Sequence, residues 1–345
     1  MKILVLYGGL SNERDVSFST GTGAARALRA QGHRVVLLDL FLGYPGTLDD
    51  PAALFAEDSE LSTADIGEKT PDLEKVRSMR PDPECIVGPN VLAVSKAADI
   101  VFLALHGEEG ENGKLQALLD LNGIQYTGSG YLGSAIAMHK GLTKTVLREN
   151  GIATPDGITI TRGETPYPNI GLPCVVKPCS GGSSVGTSIV RSEAEYTAAL
   201  QLAFSYEDKV LVETYIKGRE LTVGVIDGKA MPVIEIIPRN GFYDYKNKYQ
   251  AGATEEICPA QISAEATERA QRLAERVGEA LMIDAYYRVD LLWETASDRM
   301  FCLEANTLPG MTPTSLIPQM AAAQGMSYAE LCEKIIEVSL KKYRE

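Results

Sequence analysis

Two short segments of the 345-residue chain carry polar side chains at a spacing suited to metal and phosphate chemistry, Tyr286-Tyr287-Arg288-Val289-Asp290-Leu291 and Phe301-Cys302-Leu303-Glu304-Ala305-Asn306. If they form a hairpin whose 295–299 turn is symmetric about Ser297, Asp290 pairs with Glu304 and Arg288 with Asn306. The period of two then gathers all four on one face and sends Val289, Leu291, Leu303 and Ala305 to the other. Two carboxylates and a carboxamide make an all-oxygen set for a hard cation such as Mg²⁺, which needs few protein ligands when it also bridges phosphates. Arg288 beside them is a fixed cation able to stabilise an oxyanion. A solvated strand face alternates in the same way, and a surface ion pair is the plain alternative for Arg288.

A second constellation lies upstream. Cys174-Val175-Val176-Lys177-Pro178 reads as a strand running into Gly181-Gly182-Ser183-Ser184-Val185-Gly186-Thr187-Ser188. By itself such a loop is an ordinary turn, but a lysine beside backbone N–H groups that can wrap an anion forms a phosphate cradle. The loop has Walker spacing with Thr187 where the phosphate lysine must stand, so it is a glycine-rich loop of another kind. Gly21-Thr22-Gly23-Ala24-Ala25-Arg26 lacks the third glycine of a dinucleotide fingerprint and sits in a helical pattern. Glu13 and Arg14 follow the first strand, where a carboxylate can hold an ammonium group or simply face solvent. His106 is a catalytic or a merely hydrogen-bonding histidine, and Lys140 alone is a lysine on a helix surface.

The elements that must position these residues alternate from the start. Residues 2–8 read as a strand, 17–32 as a helix and 34–40 as a second strand, the βαβ signature of a parallel sheet. Residues 43–90, with six prolines and many acids, lose periodicity and read as a surface insertion. The strand 99–105 leads through the loop 106–113 into a helix at 114–121, and a single helix is expected over 131–150, closed by Gly151. Strand, glycine-rich loop, strand, helix (193–204) and strand (209–216) follow in a compact unit. Residues 221–227 and 231–237 form a hairpin turned by Asp227-Gly228. Residues 239–255 hold three tyrosines and no period, as a mobile lid would. An amphipathic helix (264–282), the strand pair described above and two closing helices (315–324 and 328–342) complete the chain.

The net charge of −13 disfavours nucleic acid and anionic lipid as partners. The longest uninterrupted apolar run, 100–105, is far short of the roughly 20 residues needed to span a bilayer. The apolar start of the chain stops at Gly8-Gly9, so it reads as a buried first strand in place of a secretory leader, and a cytoplasmic protein is expected. Six scattered cysteines show no CxxC pair and no histidine at zinc spacing, consistent with free thiols in a reducing compartment.

With these residues assembled, the chain resembles the D-alanyl-D-alanine ligases of the ATP-grasp fold. The resemblance rests on Tyr7-Gly8-Gly9 through Glu13-Arg14-Asp15-Val16-Ser17, Leu105-His106-Gly107 through Gly110-Glu111-Asn112-Gly113, and Tyr126-Thr127-Gly128-Ser129-Gly130. It continues with Val176-Lys177-Pro178, Gly182-Ser183-Ser184-Val185-Gly186, the 242–249 segment, Arg288-Val289-Asp290, Glu304-Ala305-Asn306-Thr307 and Pro309-Gly310-Met311-Thr312. The motifs span 1–40 and 98–340 in order.

The resemblance implies an α/β protein with an N-terminal Rossmann-like parallel-sheet domain (1–128) and two α+β subdomains (129–217 and 218–345) that sandwich ATP, the last carrying the metal site and a lid at 239–254. It implies ATP-dependent coupling of two D-alanines through an acyl phosphate, for peptidoglycan precursors, in a homodimer. Lys140, Lys177 and Lys248 would neutralise phosphates under the Ser183-Ser184 loop. Glu213, Thr214, Ile216 and Glu220 would hold adenine and ribose. Asp290, Glu304 and Asn306 would bind two Mg²⁺ or Mn²⁺ ions, about 3.5–4 Å apart as in two-metal sites generally. Glu13, with His106 nearby, would take the ammonium of the first D-alanine. Arg288 and the backbone at Gly310 would form the oxyanion hole, Ser315 and Leu316 would meet the second D-alanine, and Tyr249 would close the lid toward Glu13 and Ser183.

The chain departs from the family pattern at Asn112, where Asp is usual, at Tyr286-Tyr287, where small residues are common, and over 43–90. Relatives that make D-alanyl-D-lactate or D-alanyl-D-serine alter the lid and second pocket, and those taking lactate usually lose the lid tyrosine, so Tyr249 favours D-alanine. A ligase for another amino acid or depsipeptide and a non-catalytic ATP-binding paralogue are the alternatives. Intact Arg288, Asp290, Glu304 and Asn306 speak against the paralogue.

Overall fold

Near-continuous apolar runs make the first three strands, β1 (Lys2–Tyr7), β2 (Arg34–Asp39) and β3 (Ile100–Leu103), which pair in parallel in the order β2-β1-β3. Ile3–Leu6 and all of β3 are buried, as expected of strands covered on both faces. The helix Arg14–Ala30 packs on β1 and β2, and the closing helix Tyr328–Ser339 packs on that helix, so both ends of the chain share one core. The computed structural model describes residues 1–56, 71–164, 170–182, 184–239 and 254–344. Ser183, Lys248, Tyr249 and nearly all of the expected lid therefore lie outside the described residues.

Two antiparallel sheets follow. One has the order β4-β7-β5-β6, from β4 (Gly157–Thr161), β5 (Cys174–Pro178), β6 (Ser188–Val190) and β7 (Lys209–Thr214), with the helix Glu193–Phe204 on one face. The other has the order β10-β9-β8-β11-β12, from β8 (Arg219–Ile226), β9 (Lys229–Pro238), β10 (Thr254–Ile257), β11 (Tyr286–Glu294) and β12 (Arg299–Asn306), backed by the helix Ala264–Leu281. The β8–β9 hairpin turns at Asp227-Gly228, both in the left-handed region.

Three expectations need correction. The single helix over 131–150 is two helices, Tyr131–Met138 and Lys140–Glu149, broken at His139, whose ring Nδ1 accepts from the Leu142 N–H at 3.2 Å. The break frees the Lys140 N–H to donate to Cys179 O at 2.8 Å. The 43–90 segment is more than a surface insertion, since Phe55 is buried in the N-terminal core and residues 71–90 include the helix Leu73–Arg77. The hairpin pairs Asp290 with Glu304 and Arg288 with Asn306 as expected, but not through a turn symmetric about Ser297. Glu294 pairs with Arg299, and a bulge after Asp290 restores the register. The bulge puts Cys302, not Leu303, into the core beside Leu291 and turns Leu303 to the cleft.

Candidate active site

The two antiparallel sheets face each other across a cleft of about 690 Å³. Lys140, Lys177, Ser184, Glu213, Thr214, Ile216, Glu220, Asp290 and Glu304 all line it, among apolar walls that include Val175, Ile236, Leu292 and Leu303. Sequence reasoning placed these polar residues on five separate segments, and the fold brings them to one cavity.

The lysines in and behind the cleft meet carboxylates. Lys177, 9% exposed, lies 2.5 Å from Glu213 Oε1, and Lys144 lies 2.6 Å from Glu213 Oε2. Burial works against the charge on Lys177, and the Glu213 and Glu304 carboxylates together outweigh it, so its pKa is raised. Burial would lift the Glu213 carboxyl, but the two lysines hold it below its ordinary value. Lys144 is pushed down to about 8 by burial, only partly countered by Glu213. It also donates to Thr154 Oγ1 and Pro155 O. Sequence reasoning missed Lys144, because one lysine on a helix carries no signal until its burial is known. Lys140 Nζ lies 3.6 Å from Glu304 Oε2 and donates to Gly181 O at 2.7 Å.

On the β11–β12 face, Arg288 grips Asp290 with Nε (2.9 Å) and Nη2 (2.8 Å), while Thr222 Oγ1 and Asn306 Nδ2 donate to the same carboxylate. Asp290, Glu304 and the Asn306 amide are the expected all-oxygen set, and this donor chemistry fits a hard divalent cation.

A second cavity of about 470 Å³ lies across the glycine-rich loop and is lined by Glu13, Gly107, Lys114, His139 and Gly182. A Cβ on either Gly107 or Gly182 would stand 3.0 Å from Glu13 Oε2, so the absence of a side chain there lets two loops close on that carboxylate. Arg14, beside it, is buried and ion-paired with Asp39 at 2.5 Å. Arg14 also donates to Gly9 O, and Asp39 accepts from the Phe41 and Leu42 N–H groups, so this pair ties the loop that carries Glu13 to the turn after β2.

His106 takes the plainer of its two readings, a histidine held by hydrogen bonds, and it lies near Glu13. Its Nε2 meets Thr20 Oγ1 at 2.8 Å and its Nδ1 meets Leu308 O at 2.9 Å, so both ring nitrogens are held by protein. Burial lowers its pKa and keeps it neutral. Glu111, also missed from sequence, accepts from the N–H groups of Gly107 and Leu308. Burial and the nearby Glu13 push its carboxyl up to about 7. His106 and Glu111 therefore pin both backbone groups of Leu308, two residues before Gly310. Ser315 Oγ bonds to Thr312, and a Cβ on Gly310 would crowd it at 2.8 Å. Leu316 is buried in the core and offers only its backbone at the start of the helix Leu316–Ala323.

A parallel-sheet domain beside two antiparallel sheets that close on a lysine- and carboxylate-lined cleft defines the ATP-grasp class of ligases. Models of the D-ala D-ala ligase N-terminus and C-terminus match residues 2–129 and 146–337. The D-alanine–D-alanine ligase of Pediococcus pentosaceus is 44% identical over 100% of this chain and 99% of its own length, and that of Geobacter sulfurreducens is 40% identical over 97% and 93%. Among solved structures, the Bacillus anthracis D-alanine–D-alanine ligase complexed with ATP superposes with a TM-score of 0.75 at 32% identity, covering 99% of this chain and 98% of that one. The VanG D-Ala:D-Ser ligase of Enterococcus faecalis gives 0.73 at 28% identity, covering 98% and 99%. The chain belongs to the D-alanine–D-alanine ligase family.

Proposed function

We propose that the protein joins two D-alanines at the expense of ATP, giving D-alanyl-D-alanine, ADP and phosphate for peptidoglycan precursors. The observation that carries this reading is the cleft itself, where Lys140, Lys177, Asp290 and Glu304 converge beside the glycine-rich loop. A carboxylate oxygen of the first D-alanine takes the γ-phosphoryl group as the bond to ADP breaks. The amine of the second D-alanine then attacks the acyl carbon, loses a proton, and phosphate leaves.

Asp290, Glu304 and Asn306 are the residues that would hold Mg²⁺ or Mn²⁺, which when bound would screen phosphate charge and polarise the phosphoryl group. Lys140 and Lys177 are proposed to exchange their carboxylate partners for phosphate oxygens. Glu213, Thr214, Ile216 and Glu220 wall the adenosine end. Glu13 pairs with the ammonium of the first D-alanine, with His106 fixing the surrounding backbone. Arg288 and the Gly310 backbone meet the oxyanion that develops in the tetrahedral intermediate. Ser315 and the Leu316 N–H face the second D-alanine. Ser183, Ser184, Lys248 and Tyr249 are assigned to closing the site, which keeps an acyl phosphate from water. The working division is 1–128, 129–217 and 218–345, in a cytoplasmic homodimer, for which gel filtration is expected to give twice the chain mass.

The test is ATP-dependent phosphate release. D-alanine is expected to support it and L-alanine to be silent. Equal rates with both enantiomers, or none with either, would overturn the assignment. The likeness to the D-Ala:D-Ser ligase supports a second reading, in which D-serine is the preferred second substrate.

A further inference from the structure

We propose that Glu207 is a positioning residue for the glycine-rich loop, holding the loop's root so that its backbone can reach a nucleotide phosphate; this rests on reading the larger cleft as the ATP site. Ser180 is the second residue after β5, where the chain enters the loop. It donates its N–H to Glu207 Oε2 at 2.6 Å and its hydroxyl to Oε1 at 3.0 Å, so one carboxylate takes both polar hydrogens of one residue. The neighbouring residues are pinned as well. The Cys179 N–H donates to Lys209 O, the Lys140 N–H donates to Cys179 O, and Lys140 Nζ donates to Gly181 O. Residues 179–181 are thus fixed on both sides, and the span that must adapt begins at Gly182.

The far end of the loop returns to the same place. Gly186 is in the left-handed region, and a Cβ there would stand 2.8 Å from the Tyr206 ring. The pair Tyr206-Glu207 therefore contacts the loop at both of its ends. Ordering a glycine-rich backbone is entropically costly, so a root fixed in advance reduces what a bound nucleotide must order.

Glu207 lines the second cavity, with Glu13 and Glu108, and not the nucleotide cleft. A negative charge near a phosphate loop opposes anion binding, so the contribution of this acid is its hydrogen bonding and not its charge. Glutamine separates the two, because it keeps the shape and an acceptor oxygen while removing the charge.

The test uses the full-length protein with Glu207→Ala, Glu207→Gln and Ser180→Ala. Calorimetric ATP binding is measured without D-alanine, steady-state kinetics with it, and hydrogen exchange of the 180–187 amides without any ligand. Glu207→Ala is expected to raise the ATP Kd and KM about tenfold, with kcat within about threefold, and to speed exchange in the loop. Glu207→Gln should restore the Kd to within about threefold of the parent. Ser180→Ala, which loses only the hydroxyl arm and tests the tether even if Glu207→Ala fails to fold, should fall between. Unchanged loop exchange in Glu207→Ala and Ser180→Ala overturns the tether, and a Glu207→Gln protein as impaired as Glu207→Ala overturns the hydrogen-bonding role. A parent protein that binds no ATP overturns the reading of the cleft, while the ligand-free exchange still judges the tether.

Discussion

Arg288 and Glu111 show how much of the chemistry rests on single side chains. Arg288 is already aligned by its two bonds to Asp290, so its guanidinium is fixed before any charge develops on substrate. The Arg288→Ala protein is expected to keep ATP affinity within about threefold while kcat falls by about 10²–10³, as for loss of an oxyanion donor. Turnover within about tenfold of the parent would contradict that role. Glu111 makes a pH prediction. Its carboxyl titrates near 4.5 in an unfolded chain and near 7 when folded, so between those values the native state binds more protons. Its contribution to stability therefore falls as pH rises from 4.5 to 7. In Glu111→Gln that part of the slope should vanish, seen as melting temperature against pH for the two proteins. Parallel curves would show that Glu111 titrates normally.

Among the elements, the β11–β12 hairpin separates what pattern can encode from what it cannot. Leu291 is fully buried in the core, whereas Leu303 lines the cleft. Leu291→Ala is expected to cost about 2–5 kcal/mol of stability in denaturant unfolding. Leu303→Ala should leave stability nearly intact and weaken ATP binding, and the reverse pattern would contradict the bulged register. Alternation of apolar and polar residues made both strands and the Asp290–Glu304 pairing legible in the sequence. It could not reveal the bulge, because one extra residue is absorbed equally well by a shorter turn, and only packing decides between them. The break at His139 was hidden for a similar reason. No proline marks it, Gly141 lies just beyond it and reads equally well as a residue inside one helix, and the capping ring that permits the break is not a common helix stop. β10 went unread because its Thr254-Glu255-Glu256-Ile257 run has a single apolar residue, whereas β4, Gly157-Ile158-Thr159-Ile160-Thr161, does alternate but is short and buries only Ile160.

For the whole molecule, three sheets bring distant segments to two cavities that share the glycine-rich loop as a wall. Glu13 comes from the first sheet's loop, Lys140 and Lys177 from the middle unit, and Arg288, Asp290 and Glu304 from the last. Motif order made this convergence legible, but the internal pairing of the cleft's charges was not, because ion pairs between segments depend on tertiary contact. In that pairing lysines neutralise the protein's own acids, and the proposed ATP site requires them to exchange those acids for phosphates. What the cleft serves is the ATP-driven ligation of two D-alanines. The most direct measurement is product analysis by mass, with ATP and an equimolar mixture of D-alanine, D-serine and D-lactate, alongside ADP and phosphate. The account predicts D-alanyl-D-alanine as the dominant product, with one ADP and one phosphate formed per dipeptide. ATP consumption without any dipeptide, or a dominant mixed product, would contradict it.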